Sequence, residues 1–147
     1  MFKKVLIGAA IIAVSLVSGC ASVPMASKEQ DAARKTFSQP PADKAGLYVF
    51  RNTFVGQALK KTVYIDSAVI GETANKTFFY KEITPGDHKL STESEFSDNV
   101  ITFRADGGKN YFVEQHIKMG VFVGGASLTM VPEEEGKRKV LECGLAK

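Results

Sequence analysis

The side chains able to do chemistry are few: the 147-residue sequence holds Cys20 and Cys143, His88 and His116, and no tryptophan. A metal centre needs ligands at recurrent spacings, and no HxH, HExxH or CxxC arrangement occurs. A serine nucleophile needs a strained turn, a base and an acid. No GxSxG is present, and Ser91 and Ser94, the hydroxyls near His88, fall in an ordinary strand pattern. Glu93 and Glu95 share one strand face and could pair as acid and base, although charges on a strand edge more often block unwanted pairing. Gly120, Gly124 and Gly125 in MGVFVGGAS match neither the P-loop nor the dinucleotide fingerprint, and read as bends or bulges. The expectation is a protein with no catalytic set, no metal site and no cofactor, acting by contact and not as an enzyme; the alternatives are a hydrolase or transferase acting on envelope polymers, with acidic or serine residues gathered in one pocket, and a subunit of a membrane complex.

Cys20 differs because of what precedes it. Lys3 and Lys4 are followed by Val5 to Val17, apolar apart from Gly8 and Ser15, the arrangement of a secretory signal peptide. Val17, Ser18, Gly19 and Cys20 then resemble the lipobox of bacterial lipoproteins. The resemblance implies cleavage after Gly19, with Cys20 as first residue of the mature chain, its thiol carrying diacylglyceryl and its amine an acyl chain. One acyl chain binds a membrane only marginally, but three on one residue hold it there permanently. Ala21 and Ser22 replace the aspartate that favours inner-membrane retention in such proteins, so the expected location is the outer membrane of the cell envelope, on its periplasmic or surface face. The competing reading is a plain anchor, since Val5 to Val23 would give 19 residues where a bilayer requires about 17–25. Both readings attach the chain to a membrane.

Composition narrows the partner class. The formal charge is +3, and loss of Lys3 and Lys4 from 19 basic residues would leave 17 against 16 acidic, a net +1. A nucleic-acid binder would carry a dense basic face, so that partner is not expected.

Elements follow from pattern. Residues 21–44 are small, polar and proline-containing, and read as a flexible tether of 24 residues with a reach of roughly 27 Å. Within it Ser27 to Lys35 is a candidate short helix, with Ser27 and Gln30 approximating a capping box. From Ala45 onward lie 12 of the 14 aromatic residues. Eight extended runs follow: Leu47 to Arg51, Thr62 to Asp66, Ala68 to Glu72, Thr77 to Ile83, Lys89 to Ser94, Val100 to Ala105, Tyr111 to Met119 and Ser127 to Val131. Turn chemistry at Asp66-Ser67, Pro85-Gly86 and Gly107-Gly108 separates them. In the longest run Tyr111, Val113, Gln115, Ile117 and Met119 are expected to face the core, and most of Phe112, Glu114, His116 and Lys118 to face water. Phe78, Phe79 and Tyr80 cannot all point inward if their strand alternates. Pro132 and three glutamates before Lys137, Arg138 and Lys139 suit a short C-terminal helix. Gly136 weakens it by about 1 kcal/mol relative to alanine. The expected fold is all-β, an antiparallel β-sandwich or partly open barrel of seven to eight strands. The expected organisation is a signal peptide over 1–19, lipidated cysteine and tether over 20–44, and a β-domain over 45–147.

The segments TVYIDSAVIGE, FFYKEITPGDHKLSTESEFS and KNYFVEQHIKMGVFVGGASLTMV, followed by EEEGK and LECGLA, resemble the domain of unknown function 2846 family of small bacterial lipoproteins, and distantly PEGA-type β-domains. The resemblance implies a β-sandwich and no reaction. Ser67 stands where the family pattern tends to have glycine after the aspartate, a departure that counts against a type I′ turn there. Two loops carry candidate binding residues: Arg51 and Phe54 in FRNTFVGQ, and Phe96 in ESEFSD, aromatic tips flanked by charge. The membrane, through the lipid on Cys20, and an envelope protein or glycan are the expected partners. Cys143, left odd once Cys20 is lipidated, is either a buried thiol or half of an intermolecular disulfide.

Overall fold

The computed structural model describes residues 21–94, 99–119 and 124–147. Among them are nine strands and two helices: α1 (Lys28–Arg34), β1 (Ala45–Arg51), β2 (Lys61–Ile65), β3 (Ala68–Thr73), β4 (Thr77–Ile83), β5 (Gly86–Thr92), β6 (Asn99–Ala105), β7 (Asn110–Lys118), β8 (Gly125–Val131), α2 (Glu133–Leu141) and β9 (Gly144–Leu145). They form a five-stranded sheet in the order β8-β7-β1-β4-β9 and a four-stranded sheet in the order β3-β2-β5-β6. The sandwich and the eight expected strands are present, and the sheets do not close into a barrel. Two pairings, β1 with β7 and β4 with β9, are parallel, so the larger sheet is mixed.

Between the sheets lies an aliphatic core that includes Leu47, Val49, Val63, Ile65, Leu90 and Val113. Full burial of each such side chain contributes about 1.5–3 kcal/mol. A polar rivet crosses it. Gln115, fully buried, donates from Nε2 to Thr92 Oγ1 at 2.7 Å and accepts from the Thr73 hydroxyl. This places Gln115 in the core as its position in the alternation requires.

A second core covers the outer face of the larger sheet, joining Tyr48, Phe50, Phe78, Phe112, Val140 and Cys143 with Phe37 and Tyr80 at its margin. Tyr48 stacks on Phe112 with centroids 4.9 Å apart. Because both faces are covered, all seven residues of β1 are buried, and Phe112 and Glu114 are buried where alternation predicted water. The covering element is α2. Its Lys139 Nζ lies 2.6 Å from Glu114 Oε2 and 2.9 Å from Glu135 Oε1, which compensates the buried carboxylate and raises the lysine pKa. Gly136 is what lets the helix approach: a Cβ there would fall 2.3 Å from Phe112 Cγ.

Residues 21–44, expected as a flexible tether, are instead bound along the domain. Ser27 and Gln30 form the full capping box of α1. Asp31 Oδ1 accepts the amide of Leu145 at 2.8 Å, and the Arg34 carbonyl accepts the Tyr48 hydroxyl at 2.9 Å. Met25 bridges Ala146, the Lys147 amide donates to Pro24, and Asn110 Nδ2 donates to the carbonyls of Phe37 and Ser38. The polar composition of the segment misleads because it docks through backbone groups and a few aromatic contacts, without an apolar stripe. No helix among the described residues is long and apolar enough to cross a membrane.

Candidate functional site

The loop 52–60 follows β1, and its shape is dictated by the last residue of that strand. Arg51 is fully buried. Its guanidinium donates to the carbonyls of Gly56, of Leu59 at 2.7 Å and of Thr73 at 3.3 Å, while Nε has no partner among the described residues. Burial lowers the Arg51 pKa. The loop is further fixed by Thr53 N donating to Asn75 Oδ1 at 3.0 Å and Asn52 Nδ2 donating to Glu142 Oε2 at 2.7 Å. Gly56 adopts φ +73°, where a side chain would be strained, and its Cα faces Ile117 so closely that a Cβ would sit 2.5 Å from Ile117 Cγ2. Arg51 is therefore an internal strut of the loop, not the partner-contacting residue expected from sequence. A rigid fork suited to several oxygens can serve carbonyls as readily as a ligand.

Phe54, the other residue expected to contact a partner, points away from the fold. It is 85 % exposed, with Val55 beside it at 43 %. Parallel pairing brings the C-terminal ends of β1 and β7 to the same end of the sandwich, so Met119, which follows β7, emerges next to this loop. Met119 was expected in the core and is 79 % exposed: it continues the alternation of β7 beyond the point where the sheets cover it. The same end receives the start of the described chain, because the Ala21 amide donates to the Gln57 carbonyl at 2.9 Å. Val55, Met119 and the Gln57 carbonyl escape sequence reasoning because none stands out without the parallel register. Cys20, Phe96, Glu95 and Gly120 lie outside the described residues.

Other polar groups are structurally engaged. Glu93 Oε1 accepts the Thr62 amide at 2.9 Å. His116 Nε2 lies 3.7 Å from Glu114 Oε2, and His88 is held between Asp66 and Thr84. Cys143 is a buried free thiol, with Sγ 3.4 Å from the Lys139 carbonyl; burial pushes its pKa up to about 12. Among the described residues no three His, Cys, Asp or Glu side chains gather as a metal site. An open groove of about 600 Å³ runs between α1, β4 and the C-terminus, lined by residues including Gln30, Arg34, Tyr80 and Lys147. Arg34 stands over the Tyr80 ring at 4.0 Å, so this groove offers positive charge and an aromatic wall.

An uncharacterized protein of Haemophilus influenzae is 50 % identical over 145 residues, covering 98 % of this chain and 86 % of the relative. No solved structure gives a significant match. The family model described as protein of unknown function (DUF2846) matches residues 41–126, from the approach to β1 into the start of β8, and with the full-length relative it shows that this chain belongs to the domain of unknown function 2846 family.

Proposed function

We propose that this chain is a bacterial envelope lipoprotein, held to the outer membrane by acyl groups on Cys20, whose β-sandwich works by binding and not by catalysis. The observation that carries the reading is the order of residues at the N-terminus: Lys3-Lys4, the apolar run Val5 to Val17, then Ser18-Gly19-Cys20. A positive segment, an apolar segment and small residues before a cysteine are what export and thiol acylation together require. An envelope protein or glycan is the partner class.

Labelling with palmitate and membrane fractionation test the anchor. Wild type should incorporate label and sediment with outer membranes, and Cys20→Ser should lose both. Equal incorporation by the two proteins would overturn the proposal.

A further inference from the structure

Phe54, Val55 and Met119 are apolar and exposed at one end of the domain, whereas the exposed Val69 lies at the other end, beside the β2–β3 turn. Scattered exposed apolar residues need no explanation, but a cluster at a loop tip marks a contact surface. What covers it follows from where the chain enters. The Ala21 amide is bonded to Gln57 of the same loop, one residue after the cysteine that would carry the lipid. Cleavage before Cys20 would leave this amide intact. With residues 21–44 bound to the domain, the described chain starts against this loop.

We infer that this end of the sandwich, Phe54 and Val55 on the loop after β1 together with Met119 after β7, is seated in the interfacial layer of the phospholipid bilayer. The inference rests on the lipid anchor at Cys20 proposed above and adds an orientation to it. The acyl chains pull the start of the domain to the membrane, and the apolar tips then enter the boundary between head groups and acyl chains, as amphipathic surfaces do. Lys118, exposed beside Met119, supplies a cation at head-group depth. Arg51 makes the arrangement stiff, since its three carbonyl contacts hold the loop in the shape that presents Phe54 outward. The opposite end, with the β2–β3 turn and Val69, then faces away from the lipid and is left for partners.

The test uses the full chain with one new cysteine at a time: Phe54→Cys, Met119→Cys and, as the distal control, Val69→Cys. Cys143 stays unlabelled because it is buried and its thiol pKa is raised. Each protein is tagged with a nitrobenzoxadiazole fluorophore and reconstituted into phosphatidylethanolamine–phosphatidylglycerol vesicles, and flotation is scored on the same samples. Probes at 54 and 119 should be quenched several-fold more strongly by nitroxide lipids than the probe at 69, and several-fold less by aqueous iodide. Flotation with probes 54 and 119 as open to iodide as probe 69 overturns the seating alone. Shielding from both quenchers that grows with protein density also overturns it, in favour of a second copy covering the patch. Failure to float overturns the anchor and the seating together.

Discussion

Asp66 Oδ2 lies 2.6 Å from His88 Nδ1, and the Thr84 carbonyl lies 2.6 Å from His88 Nε2. Both ring nitrogens thus face oxygen acceptors, and a neutral imidazole has one N–H to offer. The geometry calls for the imidazolium. It ties the β2–β3 turn to the turn before β5, and Asp66 Oδ1 also accepts the Lys89 amide at 2.9 Å.

A pH dependence follows. Burial opposes the charge on His88, but the Thr84 carbonyl and the Asp66 carboxylate outweigh it, and the pKa is raised above its ordinary 6.5. The bond from the Lys89 amide, then that from His88, lowers the Asp66 pKa below 3.8. A raised histidine pKa gives stability that is complete below pH 6.5 and is lost as pH rises through the folded-state value. A lowered carboxyl pKa gives stability complete above pH 3.8 and lost as pH falls through its folded-state value. The clasp should therefore be intact between these two limits. An NMR titration of the His88 ring should place its midpoint above 6.5 and move it down in Asp66→Asn; a midpoint at or below 6.5 in wild type would contradict the doubly bonded ring.

Ser67 offers a stabilising change. Asp66 and Ser67 have φ +48° and +70°, the two positive values that a type I′ turn requires, although neither is glycine. A left-handed L-residue costs roughly 1–2 kcal/mol, offset in Ser67→Gly by about 0.4–1 kcal/mol of added freedom in the unfolded chain. Ser67→Gly should raise stability by about 0.5–1 kcal/mol in urea unfolding. A loss would mean that the serine hydroxyl contributes more than its backbone strain costs.

At Gly136 helix propensity and packing point in opposite directions. Alanine in mid-helix gains about 1 kcal/mol over glycine, yet its Cβ would sit 2.3–2.6 Å from three atoms of Phe112. That ring cannot retreat, because it stacks on Tyr48 and is itself fully buried. Overpacking of this kind costs about 1–3 kcal/mol, more where backbone must move. Gly136→Ala should lower the unfolding midpoint, and adding Phe112→Leu should not restore it, because leucine keeps the Cβ and Cγ that the new methyl meets. A stabilised single variant would show that α2 can slide on the sheet.

The same residue shows how far sequence reaches. Strand positions were legible because period-two alternation and turn residues are local signals, and so was the Ser27–Gln30 capping box. The layer of α2 and the C-terminal segment over the larger sheet was not. It depends on contacts such as Gly136 on Phe112 and Lys139 on Glu114, between residues 24 and 25 positions apart. Once that face is covered, alternation no longer separates core from water: Phe78 and Tyr80 serve the outer core while Phe79 turns to the other face, against Gly71. The candidate site was half legible. An aromatic tip at Phe54 could be read from its neighbours, but the union of its loop with Met119 and Ala21 required the parallel register of β1 and β7.

Arg51 gives the sharpest test of that loop. Among the described residues this buried cation faces carbonyls and no carboxylate, so its place is maintained by geometry: one planar fork reaches Gly56, Leu59 and Thr73 together. Lysine could reach one or two of these but cannot span them. Methionine would fill similar space while leaving three carbonyls without their donor, each costing about 1–3 kcal/mol where water cannot replace it. Relief from burying the charge offsets part of this, leaving an expected loss of about 3 kcal/mol for Arg51→Met. Amide exchange separates a local effect from a global one. Leu59, whose N–H donates to Gly56 at 2.9 Å, should lose protection in Arg51→Lys while amides in β5 and β6 keep theirs. Unchanged protection at Leu59 would mean that the loop holds its shape without the arginine, and that the outward display of Phe54 has another cause.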